Sequence, residues 1–446
     1  MSRNGRFGGL VGEMGPGWLA GAIAAGPATM ASLLSAGAGY GFALLWAVVL
    51  ATVLGVVAQY LSMRLGLLSA GGIVSTVETH LGGGWAWFLV VDAVLAAGLA
   101  QLVIMKGLAD VTAALTGLDP RLVGIGWAVV LAVGLAGGGY RVAELGAKVL
   151  VAGVVVAFVA ALAVVPVDAG AAVAGLRPTL PPGGALLVAA ILGGAVHVTL
   201  VTMHTYTVQA RGWTREDHRL ATADVVGSMG IAFGAYSLAI FLVAASVLVG
   251  TPGLTSVEAG RALAPVAGAA AQWLFLVGLL GAAVSTLGGN TVVPPYLLAD
   301  RLGWALDVSD GRYRALLAAT ALGSAAGAFL GGAFFPLLVL VISFGLIATP
   351  FALAVVLYLL NDPEAVERTN GPAANVAGGV LLAVVVWVNV ARLREQVSVS
   401  GAASAVDLFV LAFAVVTGVA TLVVLGKLVT RGRRSPAGPA RDAELE

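Results

Sequence analysis

Cysteine is absent from all 446 residues, which removes disulfides and thiolate metal ligands from the chemistry open to this chain. Charge is scarce as well. Only 10% of the residues are Asp, Glu, Lys or Arg, and the two signs nearly cancel to a formal net charge of +1. The basic residues lie in short separated stretches and form no continuous face, so nucleic acid is not an expected partner. Nor does the sequence hold a zinc-type cluster, a nucleophile arrangement, a phosphate-cradling loop or a nucleotide motif. An enzyme is therefore not expected, and no cofactor is implied.

What fills the chain instead is apolar. Sixty per cent of the residues are hydrophobic and the mean hydropathy is +1.02, which places the protein in a membrane. A lipid span needs ~20 mostly apolar residues. By that measure there are twelve candidates, centred near residues 27, 54, 100, 130, 157, 197, 235, 278, 322, 347, 383 and 417. The 62 glycines suit close helix packing in a bilayer, so a helical bundle is expected rather than a barrel. The N-terminal stretch carries Arg3 and Arg6 but lacks a convincing cleavage site, and is read as retained. With the N-terminus inside, the cytoplasmic connections collect Arg64, Arg141, Lys148, Arg211, Arg301, Arg312 and Arg368, among others. That asymmetry predicts a multi-pass protein of the plasma (cell) membrane with both termini cytoplasmic. Arg431, Arg433 and Arg434 would then rest against anionic headgroups.

Two of the hydrophobic segments are interrupted at matching places, Ala25-Gly26-Pro27-Ala28-Thr29 and Gly193-Gly194-Ala195-Val196-His197. A break inside a membrane helix frees backbone groups that lipid cannot satisfy, so it survives where it lines a buried polar cavity. One break in each half points to two repeats of opposite orientation, meeting near the bilayer midplane around a transported substrate. The expected division is a single transmembrane domain: repeat one about 14-168, repeat two about 183-360, extra helices about 373-428 and a tail 429-446. Candidate substrate contacts are Ala25, Gly26, Thr29, Ala195, His197 and Thr199, of which Thr29 and His197 could ligate a metal. Lys106 and Asp110, four apart on one helix face, form a self-neutralising pair or a coupling element. Tyr206, Ser285, Thr286 and Asn290 could face the cavity, but helical position leaves this open. Asp92 and Asp224 are expected near the interfaces, solvated.

Several passages resemble the natural-resistance-associated macrophage protein (Nramp) transporters. They are Gly15-Pro16-Gly17-Trp18-Leu19, Leu44-Leu45-Trp46 through Gln59 to Arg64-Leu65-Gly66, Tyr140-Arg141 with Glu144, and Leu180-Pro181-Pro182-Gly183 through Ile191-Leu192-Gly193 to His204 and Val208-Gln209-Ala210-Arg211. Leu274 to Leu280 and Thr349-Pro350-Phe351-Ala352 continue the likeness. The resemblance implies an all-α, LeuT-like inverted-repeat bundle (5+5 helices) of about 12 spans with helices 1 and 6 broken. It also implies import of divalent metal ions, often with protons. At the breaks the residues depart from that family. Where its manganese and iron carriers have Asp-Pro-Gly-Asn, this chain has Gly26-Pro27-Ala28-Thr29, and where they have Met-Pro-His it has His197-Val198-Thr199. The family's acidic relay pair falls on Gly107 and Asp110, and the resemblance implies a proton or gating role for His204.

The breaks predict a secondary transporter working by alternating access, and the resemblance implies a small cation as its cargo, a divalent metal first of all. A hard ion such as magnesium is favoured over manganese or iron, because the soft thioether is gone. The alternatives are the same fold carrying a small organic carboxylate or zwitterion, and a membrane sensor that no longer transports.

Overall fold

The computed structural model of the protein describes residues 26–137, 140–251, 253–399 and 404–434. The described residues are helical, with no strand among them. Eight stretches are long and apolar enough to cross a membrane, and two shorter apolar helices accompany them. Each of the twelve expected centres falls on a helix or at the second break. In chain order the α-helices of eight residues or more are α1 (Pro27–Tyr40), α2 (Leu45–Leu68), α3 (Ile73–Leu81), α4 (Gly83–Thr116), α5 (Pro120–Ala136), α6 (Tyr140–Ala161), α7 (Ala185–Ala195) and α8 (Val198–Ala210). They continue as α9 (His218–Val225), α10 (Gly234–Val247), α11 (Ala271–Thr291), α12 (Val293–Leu302), α13 (Gly311–Gly323), α14 (Phe334–Leu360), α15 (Pro372–Val399) and α16 (Ala405–Arg434). A π-helical stretch, Val226–Phe233, joins α9 to α10. The ninth span is short: α13 carries 13 residues and tightens into a 3₁₀ turn at Ser324–Phe329. Asp310 caps α13 by accepting from the Arg312 amide, and the Arg312 side chain holds its carboxyl well below the usual carboxylate range.

Glycine sets the first reversal. The chain turns at Gly41 (φ 55°), a conformation that glycine adopts without a side-chain clash. Beyond the turn α2 runs against α10, with Thr52 beside Gly234, whereas α1 runs along α10, with Gly37 beside Ala244.

The helix packing repeats itself under exchange of the halves. The first span packs on the seventh (α1 on α10), as the sixth packs on the second (α7 and α8 on α2). The third packs on the tenth (α4 on α14), as the eighth packs on the fifth (α11 on α6), and the fourth lies on the ninth (α5 on α13). This is the pairing that two five-helix repeats related by a two-fold would make. The core between them is aromatic and aliphatic, with Phe158, Phe241, Phe275, Phe335 and Phe351 fully enclosed.

Two polar contacts fix helices that apolar packing alone would leave free to slide. Pro350 inside α14 has no N–H for the carbonyl of Leu346, and the Asn389 amide of α15 donates to that carbonyl at 2.9 Å instead. On the same helix the Glu395 carboxylate accepts from the backbone amides of Gly183 and Ala185, the latter at 2.9 Å, and so closes the open N-terminus of α7.

Candidate functional site

The second break is built from three residues. α7 ends at Ala195, Val196 leaves helical geometry (φ −128°, ψ 59°), and His197 is extended (φ −89°, ψ 144°) before α8 begins. His197 caps the new half-helix with its own ring: Nδ1 accepts from the Thr199 amide at 3.3 Å and lies 2.8 Å from Thr199 Oγ1. The carbonyl of Val196, freed by the break, is met by Thr349 Oγ1 of α14 at 3.0 Å. At the first break, Pro27 opens α1 and the carbonyl of Gly26 accepts from the amides of Thr29 and Met30. Ala25 lies outside the described residues.

Three glycines bring these elements into contact. A side chain at Gly194 would reach within 2.7 Å of Thr29 Oγ1, so the two breaks abut. At Gly193 it would meet the carbonyl of Ile342 at 2.4 Å, and at Gly345 it would overlap the His197 ring, 1.8 Å from Nε2. α1, α7 and α14 thus converge where backbones carry no Cβ, the packing that small residues permit in lipid.

A cavity of about 50 Å³ opens at this convergence. Gly26, Thr29, His197 and Thr199 line it from the breaks, as the sequence reading places them, together with Thr286 and Asn290 of α11. These last two lie one turn apart on a helix, which sequence alone left undecided among four side chains. Thr286 Oγ1 is buried without a partner among the described residues. Ser285 and Tyr206 do not line the cavity. Ala195 does not either; it is fully buried against Gly55 of α2. The remaining wall is apolar, with Ala100, Ile104, Leu200, Leu338 and Val341. No carboxylate lines it among the described residues. The donors gathered here are neutral hydroxyls, one carboxamide and one imidazole, which can hold a cation that keeps part of its water or a small polar molecule.

The coupling candidates stand apart from this cavity. Lys106 and Asp110 form an ion pair at 2.9 Å, with the lysine buried and the carboxylate partly exposed. At Gly107 between them, any side chain would run into the ring of Phe334, at 1.8 Å. Where the resemblance places an acid, this chain has packed an aromatic ring. His204 sits seven residues beyond His197, about 10 Å along the helix, and is buried with neither ring nitrogen partnered among the described residues. Asp92 corrects an expectation: it is 2% exposed, not solvated, and neither carboxyl oxygen has a partner among the described residues. Its position two turns before Ala100 on α4 puts it inside the bundle, because that long helix starts about nine residues earlier than hydropathy centring suggests.

Beyond the cavity, α8 is tied at its far end. Tyr206 donates to Asp300 of α12 at 2.6 Å, the same carboxylate accepts from the Ser75 amide of α3 at 3.2 Å, and Gln209 donates to the carbonyl of Gly71 at 2.7 Å. Arg301 pairs with Glu78 of α3 at 2.8 Å beside them.

Comparison with known proteins brings this architecture into a family. The model of the natural resistance-associated macrophage protein-like family matches residues 17–395. A divalent metal cation transporter MntH of Klebsiella pneumoniae is 30% identical over 392 residues, covering 84% of this chain and 92% of that protein. An MntH of Deinococcus radiodurans is 30% identical over 307 residues, covering 64% of this chain and 69% of the relative. Among solved structures, a manganese transporter of Eremococcus coleocola superposes with a TM-score of 0.74 over 97% of both chains at 14% identity. Mhp1, a nucleobase-cation-symport-1 family transporter, superposes with a TM-score of 0.54 over 94% of this chain and 93% of its own at 16% identity. At such identities these two likenesses speak for the fold alone.

Proposed function

The chain belongs to the natural resistance-associated macrophage protein family of transporters, and from that premise we propose that it moves a divalent metal cation, a hard ion such as magnesium in preference to manganese or iron. The observation that carries the choice of ion is the donor set. Thr29, His197, Thr199, Thr286 and Asn290 offer oxygen and one nitrogen, with neither a carboxylate nor a thioether on the cavity wall among the described residues. Transition ions of the manganese and iron type gain from a soft or charged ligand, whereas magnesium gives up its water reluctantly and tolerates neutral oxygen around a retained shell. The cavity, about 50 Å³, exceeds the ~10–15 Å³ that one water needs, so an ion held there could keep water of its own.

Transport would proceed by alternating access between the repeats about 14-168 and about 183-360, with both termini in the cytoplasm of a cell whose plasma membrane holds the protein. Coupling to protons would run through His204 and the Lys106–Asp110 pair, Lys106 standing as a tethered cation beside the one acid kept. A second reading has the same cavity taking a small organic carboxylate or zwitterion, and it is favoured by the largely apolar wall.

Uptake into proteoliposomes of the purified protein separates these readings, with magnesium, then manganese, outside and an ion-sensitive dye inside. Saturable magnesium uptake that is lost in His197→Ala supports the proposal. Manganese uptake exceeding that of magnesium overturns the choice of ion. Absence of flux for both ions, from protein that elutes as a folded species, overturns metal transport in favour of the organic substrate.

A further inference from the structure

A second group of ligating side chains lies well away from the cavity, at the end of the bundle where α2, α8 and α14 finish. There the connection after α14 folds back on α2, with the Glu367 amide donating to the carbonyl of Leu68. The short helix α3 brings His80 to the same spot. His80 Nδ1 is 3.2 Å from Asp362 Oδ2, and the ligand atoms of His80, Asp362 and Glu364 all lie within 4.8 Å of one another. Asp362 is completely buried, whereas Glu364 faces outward. Asp362 Oδ1 is committed to the Glu364 amide at 2.9 Å, which turns Oδ2 toward the centre of the group.

What meets Oδ2 there is a cation supplied by the chain. Arg431 of α16 donates through NH1 to Asp362 at 2.7 Å and to the Tyr358 hydroxyl at 2.8 Å, and its NH2 is 3.5 Å from Glu364. The guanidinium is already met by two carboxylates and the Tyr358 hydroxyl. The imidazole beside the same oxygen is not needed for that pairing, and it completes a nitrogen-plus-two-carboxylate set of the kind that first-row divalent ions take. The ligands come from α3 and from the loop after α14, so they are positioned without α16, and the arginine is the one member that can leave.

We propose that His80, Asp362 and Glu364 form a second cation site, distinct from the transport cavity, that takes a first-row divalent metal ion in exchange for Arg431. The consequence is mechanical. α16 is the most exposed of the long helices, and near this end its polar fastenings among the described residues are Arg431 and the ammonium of Lys427, 5.2 Å from the centre of the Trp85 ring. Ion binding releases the first of them, so the site reports the concentration of a divalent ion on that face as a loosening of α16. The proposal does not depend on which cargo the cavity carries.

The test uses the purified full-length protein with manganese(II) as the probe, bound ion being counted by electron paramagnetic resonance and α16 being followed by hydrogen exchange. In His197→Ala, which strips the imidazole from the transport cavity, one manganese site should remain. Adding His80→Gln and Glu364→Gln should abolish it. Arg431→Gln should tighten it by about tenfold, since binding no longer displaces a charge. Exchange over residues 425–431 should rise on adding manganese to the His197→Ala protein and stay flat in the triple variant. Absence of binding in Arg431→Gln, where nothing competes for the ligands, overturns the proposal. Binding that survives the loss of His80 and Glu364 overturns it equally.

Discussion

Gly345→Ala tests how closely the second break depends on its neighbour. The new methyl would sit 1.8 Å from His197 Nε2 and 2.3 Å from Cδ2, where real contacts stay above 3.0 Å, so ring and helix must separate by at least about 1.2 Å. The ring is held on its other edge by the Thr199 hydroxyl at 2.8 Å, and a shift of that size takes it out of hydrogen-bond range or drives α14 outward. Overpacking of this kind costs ~1–3 kcal/mol. If the cost falls on the ring's working position, substrate affinity in the uptake assay drops by about five-fold to somewhat over a hundred-fold, at ~1.4 kcal/mol per tenfold. The proper control is Gly379→Ala on α15, where no atom lies within 4 Å and no effect is expected. Wild-type uptake kinetics together with wild-type thermal stability in Gly345→Ala would refute the reasoning, because the clash would have been relieved at no cost to the site.

Two further outcomes follow from the same geometry. Asn389→Leu strips the donor from the Leu346 carbonyl and should destabilise the protein by about 1–2 kcal/mol, but much less in a Pro350→Ala background, where residue 350 regains its N–H; additivity of the two changes in a thermal double-mutant cycle would show that Asn389 is not filling the gap left by the proline. Gly107→Asp should fail to express as a folded transporter, and Phe334→Ala should rescue it, since the ring occupies the space a side chain needs; a well-folded single variant by size exclusion would contradict that packing.

Hydropathy and the two breaks made most of the architecture legible, because lipid imposes one rule on every residue of a span and punishes an unpaired backbone group wherever it falls. His197, Thr29 and Thr199 were readable for that reason: each adjoins a break. Thr286 and Asn290 were not, because a helix in a bundle presents several faces to other helices and the sequence does not say which one meets the cavity. Gly345 illustrates a different limit. Its meaning lies wholly in a partner 148 residues away, and a chain with 62 glycines offers no local sign of which one matters. Asp92 was misplaced because a single acid near the predicted start of a span looks like an interfacial residue until the helix is seen to begin a further two and a half turns earlier, at Gly83. His80 and Asp362 were invisible as a pair, since nothing in their own segments announces that α3 and the loop after α14 share a corner.

The clasp of Glu395 on the N-terminus of α7 bears on the energetics of the proposed transport cycle. In the alternating-access cycle proposed above, two halves that matched perfectly would make the two orientations equivalent under the two-fold, with equal free energy, and neither would be preferred at rest. Any preference has to come from what breaks the match. Glu395 lies on α15, outside the paired helices, and holds one half-helix while the described residues offer α1 no comparable carboxylate. In that cycle a single side chain on an appended helix would act as a weight on one pan of an otherwise level balance, biasing which way the empty protein faces before any cargo arrives.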